Sequence, residues 1–110
     1  MDIVIIGSGN VAAVLGRKFK LAGHHILQIY SRNASAASEL AYEWDTESTN
    51  YKTMINSNAD LYLIAVNDDS ISDVIKDLRL PEKIVVHTAA SVPKEILQPV
   101  SNHFGVFYPL

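Results

Sequence analysis

The residues best suited to chemistry form a glycine-rich turn near the start of the chain, Gly7-Ser8-Gly9-Asn10-Val11-Ala12. Main-chain N–H groups in such a Gly-x-Gly-x-x-Ala turn, between a strand and a helix, can hold a diphosphate. Gly7 permits a sharp exit from the strand, and Gly9 lets a phosphate approach the backbone because it has no Cβ. A turn without a ligand is the alternative. The spacing favours a dinucleotide site made by Gly7, Ser8, Gly9, Asn10 and Val11.

The end of the second predicted strand decides which dinucleotide fits. Sites that prefer NAD usually carry an acidic residue there for the ribose hydroxyls. This chain instead reads Tyr30-Ser31-Arg32-Asn33, without an acid. Ser31 can donate to a 2′-phosphate, and Arg32 can pair with it or stack on adenine, although a solvated loop arginine is the alternative. The missing acid and the Ser-Arg pair together favour NADP over NAD.

Two more segments would face the nicotinamide half of such a cofactor. Val66 and Asn67 follow one buried strand, and Thr88-Ala89-Ala90-Ser91 follow the next. Their small side chains and hydroxyls leave room for a carboxamide or a substrate edge. A plain N-cap is an equally good interpretation of Ser91.

Other polar residues are better interpreted structurally. Asp68 and Asp69 resemble helix-capping residues in a polar loop, and His87 resembles a hydrogen-bonded core histidine at a strand end. The apolar residue Ile71, in contrast, could press on the ribose or the nicotinamide ring of a cofactor. The histidine spacing and the absence of cysteine disfavour a metal site, and neither hydrolase nor phosphate-loop motifs occur.

Composition limits the class of protein. The chain has 110 residues, of which 48% are hydrophobic and 19% charged, and its net charge is −3. These values predict one globular domain and disfavour a nucleic-acid partner, which usually requires a basic surface. With no cysteine, no membrane-length apolar run and no signal-peptide pattern, we expect a cytoplasmic protein without a membrane partner.

Apolar segments alternate with helical stripes along the chain. The pattern predicts strands at residues 3–6, 25–30, 61–66, 84–87 and 105–108, with a weaker strand at 47–49. It predicts helices at 10–22 and 34–44, a third helix capped by Ser70, and a short helix capped by Ser91. Gly16 in the first helix would allow close approach to the sheet. We therefore expect an α/β, Rossmann-like, doubly wound parallel sheet in three layers, with strand order 3-2-1-4-5-6.

Several segments together resemble one group of proteins: residues 3–12, Tyr30-Ser31-Arg32, and residues 59–66, 86–93 and 105–110. They are similar to the N-terminal Rossmann-like domain of bacterial oxidoreductases related to pyrroline-carboxylate reductase, deazaflavin-dependent NADP reductase and 6-phosphogluconate dehydrogenase. The resemblance covers essentially the whole chain. It implies NADP binding by Gly7, Ser8, Gly9, Asn10, Val11, Ser31 and Arg32, and a nicotinamide pocket near Val66, Asn67, Thr88, Ala89 and Ser91. The family commonly has glycine at the position of Ala90.

Members of that group continue into a helical C-terminal domain, which completes the substrate site and often builds a dimer. We therefore expect residues 1–110 to be a single dinucleotide-binding domain of a two-domain oxidoreductase that acts on an unidentified small molecule. On its own the chain should bind cofactor without turnover, and apolar surface left uncovered would favour a homodimer. A nucleotide-sensing or interaction module without catalysis is the alternative.

Overall fold

Alternation of apolar strands with helices builds one parallel sheet, and a computed structural model describes residues 1–107 of the chain. The strands are β1 (Asp2–Ile6), β2 (His25–Tyr30), β3 (Glu47–Thr49), β4 (Leu61–Ile64), β5 (Ile84–His87) and β6 (His103–Val106). The helices are α1 (Asn10–Leu21), α2 (Ala34–Glu43) and α3 (Asp68–Ile75). Short 3₁₀ turns lie at Lys52–Met54 and Lys94–Leu97.

The strands lie in the order β3-β2-β1-β4-β5-β6, which confirms the predicted fold and strand order. In the centre, Ile5 of β1 pairs with Ile29 of β2 on one side and with Leu63 of β4 on the other. The chain thus leaves β1 towards one edge and returns beside it as β4. The loops that follow these two strands diverge, and a crevice opens at their carboxyl ends.

The sheet divides the apolar core into two layers. Ile3 and Ile5 of β1 face α1 and α2, whereas Val4 and Ile6 face α3 and the segment that follows β5. Because both faces of β1 are covered, the strand is a continuous apolar run without polar alternation. Complete burial of each such side chain is worth roughly 1.5–3 kcal/mol. β1 is therefore a firm support for the glycine-rich turn that follows it.

Helix α1 is fixed by contacts with the end of α2. A Cβ at Gly16 would lie 2.2 Å from a ring carbon of Trp44, so this glycine makes room for the indole. The prediction that Gly16 approaches the sheet is therefore wrong, because the close neighbour is a side chain of the adjacent helix. Arg17 also donates twice to Glu43, at 2.7 and 2.8 Å. These hydrogen bonds raise the pKa of Arg17 and lower that of Glu43.

Two predicted helix caps are wrong. α3 begins at Asp68, with Asn67 in extended conformation before it, so Ser70 lies inside the first turn. Asp68 and Asp69 occupy that first turn, where a carboxylate interacts favourably with the helix dipole. Ser91 caps no helix either, since Pro93 precedes the 3₁₀ turn at Lys94–Leu97.

Some predicted strand ends also shift. β4 ends at Ile64, two residues before its predicted end. β6 is His103–Val106, so it begins and ends two residues before its predicted bounds. Tyr108, its predicted last residue, lies outside the described residues.

None of the helices within residues 1–107 has the length and apolar character that crossing a bilayer requires.

Candidate functional site

A cleft lies at the carboxyl ends of the central strands, where the strand order reverses. Its volume is about 570 Å³. This is within the range of roughly 300–1,000 Å³ found for ligand pockets. The cleft is lined by Gly7, Ser8, Gly9, Asn10, Val11, Tyr30, Ser31, Arg32, Asn33, Ala65, Val66, Asn67, Asp68, Ser70, Val74, Thr88 and Ala89. The structure therefore brings the glycine-rich turn, the end of β2 and the loops after β4 and β5 to one opening, but it leaves Ser91 outside the lining.

The glycine-rich turn presents unused main-chain donors to this cleft. The Gly7 N–H donates to the Tyr30 carbonyl at 2.7 Å, and the Ala13 N–H donates to the Gly9 carbonyl at 3.0 Å. Between them, the N–H groups of residues 8–12 find no hydrogen-bond acceptor within residues 1–107. Asn10 is the first residue of α1, and Gly9 before it makes no side-chain cap. The positive end of the α1 dipole and these free N–H groups together favour an anion.

The two glycines of the turn have different roles. Gly7 has φ +124°, and a Cβ there would lie 2.2 Å from the Ala65 carbonyl oxygen, so the fold itself requires glycine. Gly9 has φ −82°, which any residue can adopt, and a Cβ there would meet nothing within 4 Å. The protein's own backbone and packing therefore do not explain why residue 9 is glycine. Because Gly9 lines the cleft, its missing side chain leaves that part of the cleft open.

Ser31 connects the end of β2 to the glycine-rich turn. Its hydroxyl accepts from the Asn33 N–H at 3.1 Å and shares a hydrogen bond of 2.7 Å with the Ser8 hydroxyl. The side chain is largely buried, although the residue lines the cleft. Ser31 thus joins two loops of the cleft, in addition to any role as a phosphate donor.

Arg32 crosses the mouth of the cleft from β2 to α3. Its Nη2 donates to the Ser70 hydroxyl at 3.0 Å, and its Nη1 lies 3.6 Å from an Asp73 carboxylate oxygen. The side chain of Arg32 is 62% exposed and that of Asp73 is 66% exposed. An ion pair this open to water is worth roughly 0–1 kcal/mol, so the guanidinium can exchange it for another anion at little cost.

Some residues of the cleft did not emerge from the sequence. Tyr30, Ser70 and Val74 also line it. Ser70 and Val74 are four residues apart and therefore share one face of α3, a periodicity that could have found them. Ile71 is completely buried in the core, so the prediction that it presses on a cofactor is wrong.

The far end of the cleft is formed by the loops after β4 and β5. Val66, Asn67, Thr88 and Ala89 line it, together with the Asp68 carboxylate. Ser91 does not reach the cleft, because its hydroxyl donates to the Asp68 side chain and links the two loops instead.

His87 supports the loop after β5. It is fully buried, and its Nδ1 accepts from the Ala89 N–H at 3.1 Å. Because a main-chain N–H can only donate, the ring proton belongs on Nε2, which faces the Pro93 carbonyl at 3.3 Å. The prediction of a structural histidine is confirmed. Within residues 1–107 there is no group of three or more His, Asp or Glu side chains that could hold a metal ion.

Comparison with known proteins gives similar folds over most of the chain. A Bacteroides fragilis protein assigned as an NADP oxidoreductase is 34% identical, with a TM-score of 0.92, and the match covers 99% of this chain and 44% of that one. A 1-pyrroline-5-carboxylate reductase from Streptococcus pyogenes is 20% identical, with a TM-score of 0.75, and the match covers 93% of this chain and 39% of the reductase. At this level of identity, the likeness shows the fold alone.

A curated relative from Exiguobacterium sibiricum, "Probable malate:quinone oxidoreductase", is 26% identical over 92% of this chain. The match spans 22% of that relative, so the chain corresponds to a minor part of a longer protein there. The sequence pattern of the family described as "NADP oxidoreductase coenzyme F420-dependent" matches residues 2–91. That match includes the glycine-rich turn, the end of β2 and the loops after β4 and β5. The chain therefore belongs to the coenzyme F420-dependent NADP oxidoreductase family.

Proposed function

We propose that the cleft binds NADP(H) and that the chain is the cofactor domain of an oxidoreductase acting on a small molecule. One observation carries the proposal: the N–H groups of residues 8–12 have no acceptor within residues 1–107, in a turn that lines the cleft and has open space at the Cβ position of Gly9. A diphosphate would satisfy these donors and lie against the positive end of α1. Gly7, Ser8, Gly9, Asn10 and Val11 are the residues of this subsite.

The adenosine half of the cofactor would lie between the end of β2 and α3. Arg32 supplies a positive charge there, and its partners Ser70 and Asp73 are exposed enough to release it. No carboxylate stands at the end of β2 to receive a pair of ribose hydroxyls. Arg32, with Ser31 beside it, therefore favours a 2′-phosphate, and the name of the Bacteroides fragilis relative agrees with NADP.

The nicotinamide half would extend to the loops after β4 and β5. Val66, Asn67, Thr88 and Ala89 line that end, and Ser91 supports it by holding Asp68. When bound, the cofactor supplies or accepts a hydride; the chain's own residues bind and orient it. No side chain of the cleft is a clear proton donor for a substrate, so we expect the isolated chain to bind cofactor without turnover.

Calorimetric titration of the chain with NADPH and NADH tests the proposal. We expect NADPH to bind with a Kd in the micromolar range and NADH to bind at least roughly tenfold more weakly, a difference of about 1.4 kcal/mol. Preference for NADH would overturn the assignment of Arg32. Absence of binding by either nucleotide would overturn the function as a whole.

A further inference from the structure

Two tyrosines of the core differ in what their hydroxyls do. The Tyr62 hydroxyl donates to the Asn56 carbonyl at 2.6 Å and accepts from the Ala59 N–H at 3.1 Å. Tyr30 is nearly as well enclosed, at 4% exposure against 0% for Tyr62, yet its hydroxyl makes no hydrogen bond within residues 1–107. Phenylalanine would therefore meet the same packing need at position 30. The hydroxyl of Tyr30 needs another explanation.

The unpaired oxygen of Tyr30 is not sealed inside the core. Throughout the described part of the chain, every buried side-chain nitrogen or oxygen atom has a hydrogen-bond partner. Because the Tyr30 oxygen has none, it is not a buried atom, and Tyr30 is one of the residues that line the cleft. A hydroxyl at the edge of a core normally finds a polar partner there.

The surroundings of this hydroxyl suit an anionic acceptor. Tyr30 packs in the same apolar layer as Val74 of α3, and Arg32 contacts Ser70 and Asp73 of that helix. Burial raises the pKa of the Tyr30 phenol, while Arg32 lowers it and Asp73 raises it. The phenol is therefore a protonated donor at neutral pH, within the field of the Arg32 guanidinium.

We propose that the Tyr30 hydroxyl donates a hydrogen bond to the 2′-phosphate of NADP beside Arg32, and is thus a further specificity-determining residue. This rests on the proposed function of the cleft. The diphosphate already has the free N–H groups of residues 8–12, whereas Arg32 and Ser31 leave oxygens of a 2′-phosphate to satisfy. The side chain of Tyr30 lies on the α3 face of the sheet, where the guanidinium of Arg32 also lies.

Tyr30→Phe keeps the ring and removes only the hydroxyl. We expect the Kd for NADPH to rise roughly tenfold, as for a hydrogen bond to a charged group, while the Kd for NADH changes by less than about twofold. Resistance to urea should be unchanged, because no internal hydrogen bond is lost. The Kd for 2′,5′-ADP, which carries the extra phosphate, should rise in the same way as that for NADPH. The Kd for 5′-AMP, which lacks this phosphate, should change as little as that for NADH.

Tyr62→Phe is the matched control. It removes two internal hydrogen bonds and should lower resistance to urea, while leaving the ratio of NADPH to NADH affinity unchanged. If Tyr30→Phe weakens both cofactors equally, the hydroxyl binds a part that they share, such as adenine, and the proposal fails. If neither affinity changes, the hydroxyl meets only water and the proposal also fails. Failure of the unaltered chain to bind any nucleotide is a separate result, which overturns the proposed function itself and this inference with it.

Discussion

The turn after β1 and the end of β2 contribute to the same cleft by opposite means. The turn offers main-chain N–H groups of residues 8–12, held in place by a strand and a helix that are both fixed in the core. The end of β2 offers the side chains of Tyr30, Ser31 and Arg32. Every residue type except proline has a backbone N–H donor, whereas a guanidinium or a phenol belongs to particular residues.

This difference separates binding from selectivity. A diphosphate is common to NAD and NADP, so the part of the site that holds it can be built from backbone and needs glycine only to stay open. The 2′-phosphate is the distinguishing group, and in our proposal the charged and hydroxyl side chains at the end of β2 recognise it. Substitutions in the turn should therefore affect both cofactors, and substitutions after β2 should affect mainly one.

Gly7→Ala should have the largest effect, on the fold itself. The φ of +124° is strained for alanine, and the new Cβ would be 2.2 Å from the Ala65 carbonyl oxygen. We expect the free energy of unfolding to fall by roughly 3–5 kcal/mol, measured by urea denaturation. A loss below about 1 kcal/mol would show that the turn can relax and that its geometry is not fixed by β4.

Gly9→Ala should leave the fold intact and remove binding. Alanine fits φ −82° without a clash, so stability should stay within about 1 kcal/mol of the original value. The new Cβ enters open space at the turn that lines the cleft, where we propose that the diphosphate binds. We therefore expect NADPH and NADH each to lose affinity roughly 100-fold, about 2.7 kcal/mol, by calorimetry. Gly105→Ala is the control, since a Cβ there makes only an ordinary contact, 3.9 Å from Val86, outside the cleft. Unchanged affinity in Gly9→Ala would place the diphosphate elsewhere.

Arg32→Ala should separate the two cofactors. Loss of a charge-assisted hydrogen bond costs about 1.5–3 kcal/mol, so the Kd for NADPH should rise roughly 10- to 100-fold. NADH has no 2′-phosphate, and its Kd should change by about twofold or less. Raising the salt concentration should weaken NADPH binding in the original chain more than in the variant, because the guanidinium is exposed. Equal losses for both cofactors would show that Arg32 stacks on adenine and does not select.

The same contrast explains how far the sequence could predict the site. The sequence predicts the turn residue by residue, because its spacing, the apolar run before it and the helix after it all follow from local backbone geometry. Arg32 was identified, but its contacts with Ser70 and Asp73 were not, since they join residues about forty positions apart. Ser70 and Ser91 were assigned as caps because a serine before an apolar stripe resembles one; tertiary contacts with Arg32 and Asp68 use their hydroxyls instead.

The partner of Arg32 on α3 provides the smallest and most specific test of the comparison. In the free chain the Asp73 carboxylate lies 3.6 Å from the guanidinium, so a 2′-phosphate must displace it and then tolerate its negative charge nearby. Asp73→Asn removes both effects. Because an exposed ion pair is worth at most about 1 kcal/mol, we expect NADPH affinity to increase by roughly two- to fourfold, with NADH unchanged.

Asp69→Asn is the matched control for the Asp73 variant. It removes the same charge from α3 at an exposed position outside the cleft lining, so it should change NADPH affinity less. The gain in Asp73→Asn should also shrink at high salt. A loss of NADPH affinity in Asp73→Asn would reverse the interpretation: the carboxylate would then hold Arg32 in the orientation that binds phosphate, and the end of β2 would be as preorganised as the turn after β1.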